Sequence, residues 1–163
     1  MTAQGYQSCT DWPNHTPKRR QFFLFLFRRL PLVPAISYAG AVLFLFVTQH
    51  AVRFHFLLVP AVTFLAATFL RKALNFPRPY DQLAYTPFLP VHPGKGKSFP
   101  SRHSASAVAI ALAFGAVNGW AGLAFGLIAL AIGVCRVIGG AHFWRDVIAG
   151  WLFPLPFALL YLL

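Results

Sequence analysis

The sequence predicts an all-α fold: a polytopic membrane helical bundle of about five transmembrane helices with an N-terminal interfacial helix. Three observations predict it. Hydrophobic residues make up 58% of the 163-residue chain and charged ones only 10%, whereas a soluble domain is nearer half apolar with about 25% charged. The apolar residues also fall in runs that approach the roughly 20 residues a bilayer-crossing helix needs. Finally, the few charged and histidine residues gather at the ends of those runs, where a bilayer core would give way to water.

The first twenty residues are polar, carry Pro13 and Pro17, and lack the early apolar core of a cleavable signal peptide. They are expected to form a loose or interfacial leader. Gln21–Leu30 is rich in Phe and Leu, is too short to cross, and is flanked by Lys18, Arg19, Arg20 and by Arg28, Arg29; this pattern predicts an interfacial helix, with an extension of the first span as the alternative. Residues 1–30 are thus read as a polar leader with an interfacial amphipathic segment, and residues 31–163 as one membrane-embedded domain.

Spans are expected over about Leu32–Thr48, Phe56–Leu70, Ala105–Asn118 and Trp120–Val134, with a fifth from Asp146 to Leu163. Small residues crowd the third and fourth spans (Ala105, Ala109, Gly115, Gly122, Gly126, Gly133 among them), a pattern that lets membrane helices pack closely. Antiparallel alternation of five spans puts the ends at Leu70, Ala105, Val134 and Asp146 on one side of the membrane. Three polar stretches therefore converge: Arg71–Pro79, Pro100–His103 and Cys135–Asp146.

The net charge is +11 and the acids are Asp11, Asp81 and Asp146, with no glutamate. That scarcity excludes a glycosidase, which needs a carboxylate pair, and a two-metal phosphatase, which needs several acidic ligands. No metal or other cofactor is expected. The basic residues fit anionic headgroups and membrane orientation rather than nucleic acid. Cys9 and Cys135 differ in setting, one in the leader and one at the end of an apolar run, so no disulfide is expected.

In the third stretch, His142 and Asp146 are four residues apart, one turn on a helix. The aspartate can accept from one ring nitrogen, fixing the tautomer and leaving the other nitrogen as nucleophile or base. Gly139-Gly140 suits a tight path between the last two spans. In the second stretch Ser101 is a candidate N-cap; the free N–H groups and helix dipole behind it make a phosphate cradle. His103 there is placed to give a proton to a leaving group. In the first stretch, Pro77 and Pro79 stiffen the chain around Arg78, whose planar guanidinium suits phosphate oxygens; Lys72 reads as a snorkelling boundary residue.

Together these stretches resemble the type 2 phosphatidic acid phosphatase family, which shares its core with the vanadium haloperoxidases. The family pattern is Lys-x6-Arg-Pro, then Pro-Ser-Gly-His, then Ser-Arg-x5-His-x3-Asp. Its spacings are met by Arg71 with Arg78-Pro79, by Pro100 to His103, and by Cys135-Arg136, His142 and Asp146. Three positions depart from it: Arg71 stands for lysine, Arg102 for glycine and Cys135 for serine.

The resemblance implies that residues 31–163 are a metal-independent lipid phosphatase working through a phosphohistidine. It implies His142 as nucleophile, Asp146 as its orienting acid and His103 as general acid and then base. Arg71, Arg78, Arg136 and Ser101 would hold the phosphate, with Arg102 a further contact. The expected substrate is a phosphorylated membrane lipid: a polyprenyl diphosphate such as undecaprenyl diphosphate, phosphatidic acid or phosphatidylglycerol phosphate, with lipid A as the alternative. A catalytically silent lipid-binding member and a small anion channel are the rival classes. The implied setting is the bacterial cytoplasmic membrane with the site on the periplasmic or extracellular face, although the positive-inside rule applied to Lys18–Arg29 points to the cytoplasmic one. The Asp81–Phe99 loop, with His92, Lys95 and Lys97, is a candidate lid.

Overall fold

The computed structural model describes residues 2–88 and 96–162; His92 and Lys95 of the candidate lid lie outside them. The helices run α1 (Ala3–Asn14), α2 (Pro17–Arg29), α3 (Leu32–Val47), α4 (Arg53–Leu74), α5 (Pro79–Gln82), α6 (Arg102–Val117), α7 (Gly119–Ile138) and α8 (Trp144–Leu152), followed by a 3-10 helix over Leu155–Leu162. No strand occurs among the described residues.

Four stretches are long and apolar enough to cross a membrane: Pro17–Val47, Arg53–Gln82, Gly119–Ile138 and Trp144–Leu162. The expected third span is the shorter α6. It is also the central helix, packed against α3, α4, α7 and α8, with Ser104, Ala105, Ala107, Ala109, Ile110, Ala111 and Ala113 buried. Its alanines explain this position, because small side chains on every face let neighbours approach from all sides. Large apolar residues face outward, Phe25, Ile36, Leu43, Leu65, Phe69 and Leu127 among them, as a lipid-facing surface requires. The chain is an integral membrane protein.

Three elements are more definite than the sequence expectation. The leader is a helix, not a loose strand of chain. Thr2 caps α1 by accepting from the Gly5 N–H at 3.2 Å, and Tyr6, Thr10 and Pro13 are buried along one face. The Phe-rich segment starts at Pro17 and leads into α3 through Leu30 and Pro31, which both keep right-handed helical angles. Pro31 withholds a hydrogen bond, but its fixed φ suits a helix. The fifth span is α-helical only to Leu152 and then tightens to 3-10 geometry, because Pro154 and Pro156 lack the N–H groups that an α ladder would use.

Candidate active site

The third polar stretch is held by a turn and a cap. Gly140 has φ +71°, and a Cβ there would meet the Tyr85 ring at 2.8 Å, so glycine alone serves both demands. Tyr85 donates from its hydroxyl to the Gly140 carbonyl at 2.5 Å, and Tyr6 of α1 donates to the His142 carbonyl at 3.3 Å. The two tyrosine rings stack at 5.2 Å. The polar leader therefore reaches the loop that carries His142.

His142 does not lie on a helix, which corrects the one-turn reading of its spacing to Asp146. It precedes the N-cap Phe143, and Asp146 is the third residue of α8. The carboxylate turns back to accept from the Phe143 N–H at 3.1 Å, a capping arrangement that satisfies a helix-start donor. The same oxygen, Oδ2, lies 3.5 Å from His142 Nδ1. The i,i+4 spacing thus brings acid and imidazole together across a helix start rather than along its face.

Ser98 completes this group. Its Oγ donates to Asp146 Oδ2 and lies 3.4 Å from His142 Nδ1. Since its proton is committed to the carboxylate, the serine oxygen can only accept from the imidazole. Nδ1 then faces two acceptors, so the ring proton belongs there and Nε2 keeps its lone pair. All three side chains are buried: His142 is 2% exposed, and Ser98 and Asp146 are 0%. Burial pushes the His142 pKa down to about 4, with the Arg78 and Arg71 charges acting in the same sense and the Asp146 hydrogen bond and charge opposing. The imidazole is therefore neutral across the working range of pH. The sequence does not single out Ser98, because one serine near a proline carries no contrast with its neighbours.

The second stretch meets the third directly. The Ser101 N–H donates to the Asp146 carbonyl at 2.8 Å, which ties the start of α6 to α8. Gly150 makes this possible, because a Cβ there would come within 2.6 Å of the Ser101 carbonyl oxygen. Ser101 occupies the N-cap position but makes no side-chain cap bond; its Oγ instead accepts from Ser104 at 3.0 Å. The expected cap is thus a buried spacer. The first-turn N–H groups of α6 have no intrahelical acceptors by geometry, so they remain donors at this end of the helix. His103 is exposed on the protein surface, within electrostatic reach of His142, Arg71, Arg102 and Arg136.

The arginines are braced by backbone carbonyls. Arg71 donates to Pro100 O at 3.3 Å; Arg78 donates to Gly96 O and Ala141 O, both at 3.3 Å. The α4 helix ends on a left-handed Asn75, and Asp81 accepts from the Arg78 N–H at 3.1 Å, so Arg78 sits on a short rigid path. A guanidinium has five donors, so these bonds orient Arg71 and Arg78 and leave others for an anion. Arg136 and Arg102 are placed differently. Arg136 is buried against Phe27, its guanidinium 4.0 Å from the ring centre and bonded to the Phe27 carbonyl at 3.1 Å. Arg102 reaches over Phe64, 5.5 Å from that ring. Lys72 is exposed.

The site therefore offers an unprotonated ring nitrogen, an orienting carboxylate, a second histidine and a preponderance of fixed positive charge, an arrangement suited to a phosphoryl group. The protein can be set beside known ones on this basis. It is similar to lipid A 1-phosphatase of Rhizobium etli, 37% identical over 101 residues, covering 59% of this chain and 43% of that protein. It is similar also to lipid A 1-phosphatase of Rhizobium johnstonii, 36% identical over 101 residues, 59% of this chain and 41% of that one. Either match thus spans less than half of the relative. In fold it resembles the crystal structure of Aquifex aeolicus LpxE, with TM-score 0.74 and 22% identity over 99% of this chain and 94% of that chain. It resembles too the transmembrane PAP2 type phosphatidylglycerolphosphate phosphatase of Bacillus subtilis, with TM-score 0.69 and 19% identity over 97% and 83%. The model of the PAP2 superfamily matches residues 52–163, a region that holds every residue of the site described above except Tyr6 and Phe27, and the chain belongs to that superfamily.

Proposed function

We propose that this protein is a membrane lipid phosphatase that transfers the phosphoryl group of a lipid headgroup to His142 and then to water. The observation that carries the reading is the neutral, buried His142, with Nδ1 facing Ser98 and Asp146 and Nε2 free to attack. Phosphorus–nitrogen bond formation at Nε2 breaks the bond to the leaving oxygen, which takes a proton from His103. Water, deprotonated by His103, then attacks the phosphohistidine, releasing phosphate and restoring His142. Arg71 and Arg78, with the first-turn amides of α6, hold the phosphate oxygens as charge develops. Arg102 and Arg136 contribute field rather than the direct contacts that the family pattern implies, unless substrate draws them from Phe64 and Phe27. The single acid at the centre is engaged by capping and by His142, so no step is routed through a metal.

Among lipids, the 1-phosphate of lipid A comes first, because both sequence relatives carry that activity in their names; phosphatidic acid, phosphatidylglycerol phosphate and undecaprenyl diphosphate follow. The test is phosphate release from this panel in detergent with EDTA present. The parent protein should release phosphate and His142→Ala should lose about 10⁶-fold, as nucleophile deletions do. Headgroup binding without release from any lipid would instead establish the silent lipid-binding class.

The reading places the protein in the bacterial cytoplasmic membrane with the site facing the periplasm. In Cys9→Ser protein, a cysteine at exposed Ala84 should react with an impermeant thiol reagent in intact spheroplasts; labelling only after lysis would put the site on the cytoplasmic face.

A further inference from the structure

An apolar groove leads away from His103 into the bundle. Its upper part, about 290 Å³, is lined by Pro31, Phe64, Arg102, His103, Ser106 and Ile110 among others. A lower part of about 230 Å³ shares Phe64, Ser106 and Ile110, and is bounded by Tyr38, Pro60 and Ala61. The α6 wall is one stripe, Arg102, Ser106 and Ile110, at four-residue spacing, and it descends about 12 Å from the mouth. Charged chemistry stands only at the top, where Arg102 lies over Phe64 beside His103; below it the polar side chains are Ser106 and Tyr38. At the far end the Tyr38 hydroxyl donates to both Phe56 O and Leu57 O, at 3.1 and 3.0 Å, and its ring stacks on Phe56 at 5.3 Å. The tyrosine is thereby pinned.

We infer that this groove receives one unbranched acyl chain of the substrate, and that Tyr38 sets the chain length it accepts. The inference rests on the proposed phosphatase activity. It follows from the order of groups along the fold: nucleophile, phosphate clamp, leaving-group histidine, then an apolar groove continuous with that histidine. The part of the substrate that departs toward His103 must carry the chain, and the groove starts there. An unbranched chain fits better than a methyl-branched prenyl one because the walls are stiff. Pro31, Pro34 and Pro60 fix the backbone of two walls, and the pinned Tyr38 closes the floor.

The test compares hexyl, hexadecyl and farnesyl phosphate as substrates of the parent protein, of Ser106→Phe and Ala61→Phe, which fill the groove, and of Tyr38→Ala, which deepens it. The quantity read is the variant-to-parent ratio of kcat/KM, in which partitioning of a substrate into the same micelle cancels. For Ala61→Phe, which fills the lower part, the ratio should stay near one with hexyl phosphate, which also reports intact folding, whereas Ser106→Phe, in the upper part, should lower the hexyl ratio too. With hexadecyl phosphate the ratio should fall about tenfold in both filled variants, the low end of what a chain misfit costs in an apolar pocket. Tyr38→Ala should raise the hexadecyl ratio and leave the hexyl ratio alone. Equal ratios for hexyl and hexadecyl phosphate in every variant would overturn the groove assignment while leaving the phosphatase reading standing. A farnesyl ratio that falls as far as the hexadecyl one would overturn the choice of an unbranched chain. No phosphate released from any substrate by the parent protein would instead sink the phosphatase reading itself, and this inference with it.

Discussion

The two ends of the bundle are built from the same helices by opposite means. At the site end, buried polar groups hold the chain: Ser98, Asp146 and His142 face one another, Ser101 N–H meets Asp146 O, and the arginines rest on carbonyls. At the far end, aromatic rings do the holding. Tyr38 stacks on Phe56, Phe56 meets Phe114 edge-on at 5.4 Å, and Phe114 stacks on Phe125 at 4.2 Å. Rings in van der Waals contact lose little when displaced by a few tenths of an ångström, but a hydrogen-bonded group does. The difference teaches that this fold sets the site end chiefly by directional polar bonds and the far end chiefly by ring packing, with Tyr38 the one ring there that hydrogen bonds also hold.

The comparison breaks most sharply at Asp146. Asp146→Asn keeps the shape but removes the acceptor that holds the proton on Nδ1, so kcat should drop about 10⁴-fold, as for the corresponding change in a Ser-His-Asp triad. Kinetics beside a thermal melt in detergent check this. A fall in kcat that merely follows a fall in folded fraction would show the carboxylate to be structural.

The far end should respond in the opposite way. Phe56→Ala removes a ring that is 1% exposed and should lower stability by about 3 kcal/mol. That is the low side of such truncations, because in lipid only packing is lost and no surface moves to water. Activity per folded molecule, with a short-chain substrate, should not change. A drop in that activity would show that the two ends are coupled.

An effect of similar size, seen only on acidification, is pH dependence. The His142 pKa is about 4 in the folded protein against about 6.5 unfolded. Between those values the unfolded state binds a proton that the folded state refuses, so stability falls as pH drops from about 6.5 to about 4. The loss is about 3 kcal/mol, none of it present above that window. Melting curves across this range should show the slope in the parent and its absence in His142→Asn. Activity should persist on the acid side until His142 protonates near pH 4. A parent slope equal to that of the variant would mean that the histidine is not held neutral by burial.

Much of the site was legible in the chain because its chemistry depends on residue types that membrane helices otherwise avoid. His142, Asp146, His103, Arg71 and Arg78 stand out against apolar runs, and their spacing to prolines and glycines matched a known pattern. Ser98 was not legible, since one serine near a proline carries no such contrast. Nor was the role of Tyr6, which touches the His142 loop across 136 positions of sequence. The Thr2 cap and the Tyr6, Thr10, Pro13 stripe were present in the leader, but its polarity spoke more loudly than its periodicity.

By itself, then, the sequence determined the membrane class, most of the apolar helix runs and a set of candidate residues for handling a phosphoryl group. These follow from composition and local spacing, which need no knowledge of what packs on what. Only the tertiary structure decided which of those residues meet. It seated Ser101 beneath α6, turned Arg136 onto Phe27 and Arg102 onto Phe64, placed His142 ahead of α8 rather than on it, and opened a groove beside His103. Each outcome depends on the distance between helices, set at contacts such as Gly150 on Ser101, and such distances are properties of pairs of segments that no single stretch of sequence contains.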